Sequence, residues 1–239
     1  MHGTNGPKSP GDGNPGLIVP LFPLPNVVLF PHAVLPLHIF EERYTAMTRD
    51  ALQGDRLIAM ALLRPGWEKS YYSRPAIEPV VCVGQILSYE ELPDGRFNFL
   101  LRGVERARIE RELSGSPDGA DESDKPYRLA ALTPLEDRVV DPHALEPARD
   151  ALRTLLTESS LAHSPVGRKL AELVDTSIPV SDLADLTAFN FLEDITLKQQ
   201  LLAETDVIRR LSLLVRSLGA MVKPATAAGT RMFSRPSLN

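Results

Sequence analysis

The chain has 239 residues, 43% of them apolar and 24% charged, and its 26 Lys and Arg are outnumbered by 31 Asp and Glu for a net charge of −5. That length can bury a proper core in one or two domains, and the acidic balance argues against broad nucleic-acid binding, which leaves a basic footprint, while leaving room for a local basic patch. A single cysteine, Cys82, excludes an internal disulfide and a cysteine-based metal site; within Val80-Val81-Cys82-Val83 it reads as a small buried hydrophobe, consistent with a reducing, cytoplasmic compartment.

Residues 1–16 (MHGTNGPKSPGDGNPG) are rich in Gly and Pro and hold no apolar core of a signal peptide, so they read as a flexible leader. No run approaches the ~18 consecutive apolar residues of a membrane span. The next stretch, LFPLPNVVLFPHAVLPLHIFEERY from Leu21 to Tyr44, is apolar and studded with prolines. Leu17–Leu21 and Val27–Phe30 are short strand candidates; proline cannot donate to a ladder, which predicts sheet edges or alternation with turns. Glu41–Leu52 predicts a helix, with Tyr44, Met47, Thr48 and Leu52 on one face and two acids in the first turn, where the dipole favours them.

Arg56–Leu63 and Val80–Leu87 predict buried strands. Between them, Arg64-Pro-Gly-Trp-Glu-Lys-Ser-Tyr-Tyr-Ser73 is polar and punctuated by Pro65 and Gly66, so it belongs on the surface. It nevertheless carries the only tryptophan, Trp67, and two of the five tyrosines, Tyr71 and Tyr72. In Arg96–Arg102, Phe97, Phe99 and Leu101 fall on one face and Arg96, Asn98 and Arg102 on the other, and Leu92-Pro93-Asp94-Gly95 predicts a turn before them with Gly95 at positive φ. Val104–Glu112 and Tyr127–Leu135 complete the strand set. The intervening 114–126 segment (SGSPDGADESDKP) reads as a loop too polar to bury.

After Asp141 the apolar period becomes helical. Leu145, Ala148, Leu152 and Leu155 open a first helix, and Gly167–Asp175 forms a second. Ser181 reads as an N-cap for Asp182–Leu192, and Thr196-Leu-Lys-Gln199 as a capping box. Behind that box Leu197, Leu201, Ile208, Leu211, Val215 and Leu218 trace one stripe to Gly219. The expectation is an α+β chain: a β-rich domain over 17–140, a four-helix subdomain over 141–222, and a tail over 223–239.

Catalytic signatures are missing. The sequence lacks the phosphate-binding GxxxxGK[ST], HExxH and GxSxG patterns, and its histidines (His2, His32, His38, His143, His163) have no His or Cys partner at ligand spacing. His38, between Leu37 and Ile39, reads as a hydrogen-bonded structural histidine. Adjacent carboxylates such as Glu41-Glu42 and Glu90-Glu91 point to different faces of a strand or helix and read as solvated charges or caps. No cofactor is expected.

The Leu21–Tyr44 stretch closely resembles the start of the substrate-recognition domain at the N-terminus of Lon proteases. VGQILSYEELPDGRFNFLLRGVERARI, from Val83 to Ile109, resembles the same family in order and spacing, through Asp94-Gly95 and then Arg102-Gly103-Val104 with Arg106. Tyr127, Lys198-Gln199, Leu201-Leu202 and Arg209–Leu211 extend the resemblance over roughly residues 17–218. It implies a PUA-like β-barrel or pseudo-barrel with one short helix, followed by a helical bundle. It also implies a module that engages unfolded or partly folded proteins, with a separate ATPase or protease as a further partner. The ATPase signature and the Ser–Lys peptidase of full Lon proteases are absent, so the expectation is a stand-alone, non-catalytic protein.

Within that frame the prolines of Leu21–Pro36 turn the chain around a barrel rim, and Val27, Val28, Leu29, Leu35 and Ile39 fill the interior. The rim Phe30-Pro31-His32 and the loop aromatics Trp67, Tyr71 and Tyr72 are the candidate peptide-binding residues. For Trp67 a second reading stands beside this one, a lid folded over the barrel end. The other modes and classes weighed are strand addition at a sheet edge, an RNA-binding module using Arg102, Arg106, Arg108 and Arg111, and an enzyme with a small-ligand site. The interleaved Glu105, Glu110 and Glu112 favour a solvated strand face over the RNA reading.

Overall fold

The computed structural model describes residues 17–71, 73–113 and 125–222. The expected leader, tail and most of the 114–126 loop lie outside them, as does Tyr72. The regular elements of the first half are β1 (Leu17–Leu24), β2 (Val34–Ile39), α1 (Glu42–Gln53), β3 (Leu57–Leu62), β4 (Val80–Glu91), β5 (Phe97–Glu112) and β6 (Arg128–Pro134). The helices α2 (Leu145–Glu158), α3 (Pro165–Val174), α4 (Val180–Phe191), α5 (Ile195–Ala203) and α6 (Val207–Met221) follow.

The strands lie in the order β2-β5-β4-β3-β1-β6, and β6 pairs again with the far half of β5, from Ala107↔Pro134 to Glu112↔Ala130. The ladder thus runs round through β5, β4, β3, β1 and β6, with β2 attached outside to the near half of β5. This is the α+β chain that the residue pattern predicts, with the pseudo-barrel and helical bundle that the family resemblance implies. Only β1 and β3 run parallel, from Leu21↔Ala59 to Leu24↔Leu62, and the crossover a parallel pair requires is supplied by β2 and α1. Register shifts at Val83/Gly84 and Ile86/Ser88 in the β4–β5 ladder, and at Ile109/Arg111 in the β5–β6 ladder, mark where the sheet bends.

Because successive side chains of a strand point to opposite faces, the ring sorts its residues into two clusters. Val19, Leu21, Ala59, Ala61, Val81, Val83, Ala107, Ala130 and Leu132 form one, turned into the ring and built mainly from small side chains. Phe22, Ile58, Met60, Leu62, Val80 and Cys82 point the other way, into a larger cluster shared with α1 and the helical half. Both faces of β3 are therefore covered, which is why it reads as an unbroken apolar run.

Several expectations need correction. β1 lies between β3 and β6 rather than at an edge, despite Pro20 and Pro23. The two ladders are staggered: Pro20 pairs with Leu129 of β6 but precedes the β3 ladder, which begins at Leu21, and Pro23 pairs with Ala61 beyond the end of the β6 ladder. Val27–Phe30 is not a strand but an irregular buried crossing. It ends in a turn where Ala33 N–H donates to the Phe30 carbonyl at 3.2 Å and His32 takes φ 65°. His32 N–H donates to the Gly103 carbonyl and Gly103 N–H to the Ala33 carbonyl, each at 2.9 Å. A Cβ on Gly103 would sit 2.0 Å from the Phe30 carbonyl oxygen, so this crossing requires glycine there. Val28, Leu29 and Ile39 are buried against the helices, outside the ring, with Val27 and Leu35 packed at their margin.

The helical half has five helices rather than four. α4 begins at Val180 after Pro179, and the Ser181 hydroxyl donates to Asp182 instead of capping. Asp194, not Thr196, caps α5, accepting from the N–H groups of Thr196 and Leu197. The single stripe is cut at Glu204–Asp206. There Arg138 N–H donates to the Thr205 carbonyl at 2.8 Å, Val207 N–H donates to the Arg138 carbonyl at 2.9 Å, and Asp206 caps α6.

The halves are joined by a buried ionic cluster. Arg106 of β5 donates to both carboxylate oxygens of Asp185 in α4 at 2.8 Å, to Asp137 at 2.7 Å and to the Leu202 carbonyl at 3.1 Å. Arg210 of α6 grips Asp137 with bonds of 2.8 and 2.5 Å. Arg106, Asp185 and Arg210 are 4%, 2% and 1% exposed; burial pushes the Asp185 carboxyl up, against the pull of the two arginines that face it. Gln199 of α5 adds a bond of 2.8 Å to the Val80 carbonyl at the start of β4.

Candidate functional site

That last bond sets one wall of a groove. Its floor is the end of β3 and the start of β4, Leu62, Leu63 and Val80; α5 stands on one side with Ile195, Thr196, Gln199, Gln200 and Ala203; Trp67 and Glu68 stand on the other. The groove encloses about 660 Å³. This is the junction of barrel and bundle, a common place for binding clefts, and its apolar floor is flanked by hydroxyl and amide groups able to meet a peptide backbone.

The loop from residue 64 to residue 79 carries the Trp67 wall and is tied at both ends. Leu63 bridges Ile77, Leu63 N–H donates to the Leu24 carbonyl at 3.0 Å, and Glu78 N–H donates to the Leu62 carbonyl at 2.8 Å. Gly66 at φ 89° admits a short 3₁₀ turn, Trp67–Ser70, which lifts the indole to the groove. Trp67 is half-buried and meets Tyr71 edge-on, with ring centroids 5.5 Å apart. Tyr71 in turn donates to Glu41 Oε1 at 2.6 Å, and Arg43 lies over its ring at 4.9 Å. Burial, with the bond to Glu41, raises the Tyr71 phenol above its ordinary pKa. Tyr71 therefore fastens the loop to the start of α1.

The predicted site residues divide accordingly. Trp67 lines the groove, neither a fully buried lid nor a free aromatic. Tyr71 supports it from behind, and Tyr72 lies outside the described residues. The rim reading of Phe30 and Pro31 does not hold, because both are buried in the crossing over Gly103. His32 is exposed, with Nε2 3.5 Å from Asp182, and does not line the groove. The residues that sequence reasoning missed are those of α5, above all Gln199 and Gln200. Lys198-Gln199 stood out only as part of a family motif.

Two other depressions are less suited. One, ringed by Arg43, Tyr44, Tyr71, Tyr127 and Arg128, holds only about 60 Å³. The other is a shallow hollow of about 470 Å³ on β2, β5 and β4, where His38 Nδ1 bonds Asn98 Oδ1 at 2.7 Å. The edge of β2 offers strand addition little, since Pro36 in its middle lacks an N–H. The arginines of β5 form no continuous basic stripe: Arg106 is turned inward to Asp185 and Asp137, leaving Arg102, Arg108 and Arg111 exposed. Among the described residues no group of His, Cys, Asp or Glu is placed to hold a metal, and no helix is long and apolar enough to cross a membrane.

Comparison with known proteins agrees with this architecture. A Lon protease of Desulfosudis oleivorans is 24% identical over 200 residues, covering 84% of this chain but 23% of its own length. One from Anaeromyxobacter dehalogenans is 26% identical over 205 residues, again 84% of this chain and 23% of its own. The chain thus spans about a quarter of the length of these relatives. Among solved structures, the N-terminal domain of Mycobacterium avium complex Lon protease superposes with a TM-score of 0.64 at 16% identity, covering 85% of this chain and 98% of that one. A Lon N-terminal domain protein from Xanthomonas campestris gives 0.57 at 24% identity, covering 84% and 98%. The family model for the ATP-dependent protease La (LON) substrate-binding domain matches residues 18–219, and the chain belongs to that family.

Proposed function

We propose that this chain is a substrate-recognition module, and that the groove between the Trp67 loop and α5 takes up apolar segments of unfolded or partly folded proteins. The observation that carries the reading is the groove itself, which sets an apolar floor and an indole against the hydroxyl and amide groups of α5. An aromatic that is half-buried and braced from behind offers contact area at small cost in conformational entropy. Family membership supports the same role, with clients passed to an ATP-dependent peptidase on the same or a separate polypeptide. The folded barrel and bundle would act by binding alone.

Trp67 is unique, so its fluorescence reports the groove. Titration with reduced, alkylated lactalbumin should change Trp67 emission once the client's own signal is subtracted. Trp67→Ala should weaken binding measured by calorimetry while leaving the unfolding midpoint nearly unchanged. If the substitution lowers stability but leaves client affinity intact, Trp67 is a packing residue and the client surface lies elsewhere.

A further inference from the structure

We propose that the groove selects segments in which apolar side chains are flanked by lysine or arginine, and disfavours the same segments flanked by acids. This rests on the groove being the client site and specifies which clients it takes. Among the described residues the groove's lining includes two carboxylates, Glu68 and Glu78, and no cationic side chain. Glu68 is exposed on the 3₁₀ turn beside Trp67. Glu78 is paired with Arg64 Nε at 3.3 Å, and their side chains are 30% and 50% exposed, so the pair is open to exchange with an incoming cation. At the near end of α5, Glu193 and Asp194 are exposed and add to the negative field.

Arg64 offsets Glu78 in part, and the two lysines nearby are directed elsewhere. Lys198 of α5 is turned aside, its Nζ donating to the Phe189 carbonyl at 2.9 Å, and Lys69 is exposed on the loop outside the groove lining. The N-terminus of α5 would otherwise attract anions. Its N–H groups at Thr196 and Leu197 are already taken by the Asp194 carboxylate at 2.8 and 3.1 Å. A segment lying along the floor would set its apolar side chains on Leu62, Leu63 and Val80 and its flanks beside Glu68 and Glu78. Cationic flanks then gain attraction, and acidic flanks meet like charge in a partly desolvated site.

The test uses the full chain and three short peptides that share one Leu-Phe-Leu centre and carry Lys, Ser or Glu on both flanks, with Trp67 emission as the readout. The Lys-flanked peptide should bind roughly 5- to 30-fold more tightly than the Glu-flanked one at about 50 mM salt, the gap closing to under about 3-fold near 0.5 M as the charges are screened. Glu68→Gln combined with Glu78→Gln should cut the ratio of Lys- to Glu-flanked affinity to under about 3-fold, each affinity being taken relative to the Ser-flanked peptide on the same variant; should the pair fail to fold, Glu68→Lys alone should invert the preference. If the Ser-flanked peptide binds and the Lys and Glu peptides match it, the charge selection is wrong and the groove still stands as a client site. If none of the three perturbs Trp67 or competes with an unfolded client, the groove is not the client site and both readings fall.

Discussion

Removing Asp185 should break the junction between barrel and bundle. The Asp185 carboxylate is 2% exposed, takes two bonds of 2.8 Å from Arg106 Nη2 and lies 3.4 Å from Arg210 Nε. In Asp185→Ala two buried guanidinium groups are left with one carboxylate, Asp137, and the cluster carries an uncompensated positive charge. Breaking a buried pair in this way costs about 3–5 kcal/mol, a large fraction of the roughly 5–15 kcal/mol that holds a typical domain together. With a urea slope of about 2–3 kcal/mol/M for a chain of this size, the midpoint should fall by about 1–2.5 M. The double replacement Arg106→Met with Asp185→Leu removes one charge of each sign and leaves the Asp137–Arg210 pair in place. It strands the Leu202 carbonyl, which Arg106 Nε reaches at 3.1 Å, at a cost of about 1 kcal/mol. The double variant should therefore recover most of the loss and lie within about 2 kcal/mol of the parent. The assay is equilibrium urea unfolding followed by both Trp67 fluorescence and far-ultraviolet circular dichroism. A loss below about 1 kcal/mol in Asp185→Ala, or a double variant as unstable as the sum of its singles, would refute the account of the cluster as a single charge-balanced unit.

Gly103→Ala should be damaging, because its Cβ would lie 2.0 Å from the Phe30 carbonyl oxygen, a backbone atom that cannot rotate away. A cost of about 3 kcal/mol or more would lower the melting temperature by about 6–12 °C, and an unchanged melting temperature would mean the crossing yields easily. Gly95→Val places a β-branched residue at φ 81° in the β4–β5 turn, and calorimetry should record a loss of about 1–2 kcal/mol. Stability should also fall in acid. Burial pushes Glu112 and Asp137 up, but the arginines paired with them (Arg128 and Arg74; Arg210 and Arg106) pull both below the usual carboxylate range, and bonds from Lys125 and Tyr127 lower Asp50. Carboxylates with depressed folded pKa values stabilise the fold fully above their unfolded pKa, about 4, and that contribution is lost as pH falls through the folded values. Asp185, which burial pushes up, acts in the opposite direction. Urea midpoints should drop below about pH 4, and a rise there would show that Asp185 outweighs the other carboxylates.

Much of the barrel could be seen in the sequence because one-sided burial leaves a period. Phe97, Phe99 and Leu101 share one face because only that face of the stretch is covered; all three are buried, while Leu100 on the other face is 39% exposed. Gly95 announced its turn, and Tyr44, Met47 and Thr48 announced the buried face of α1. Arg106 gave no such signal. It sits between Glu105 and Ala107 like any solvated strand arginine, and its partners lie 31 and 79 residues further on. The prolines of β1 misled because edge placement is only one way to spare an N–H, and staggered ladders are another. Trp67 marked half of the groove as an aromatic out of place in a polar loop. The other half depends on Gln199 meeting the Val80 carbonyl across 119 residues of chain, which no local pattern encodes.

The long reach of these contacts bears on how the protein is made. Domains synthesised from the N-terminus form early contacts first, and each strand of the ring, as well as the floor of the groove, precedes residue 135. Arg106, however, meets its last partners only when α4 and α5 arrive, and α5 also brings the second wall of the groove. A nascent chain that has completed the barrel still exposes an unmatched guanidinium and an unfinished cleft, so its own helical half is the first polypeptide that surface must accommodate.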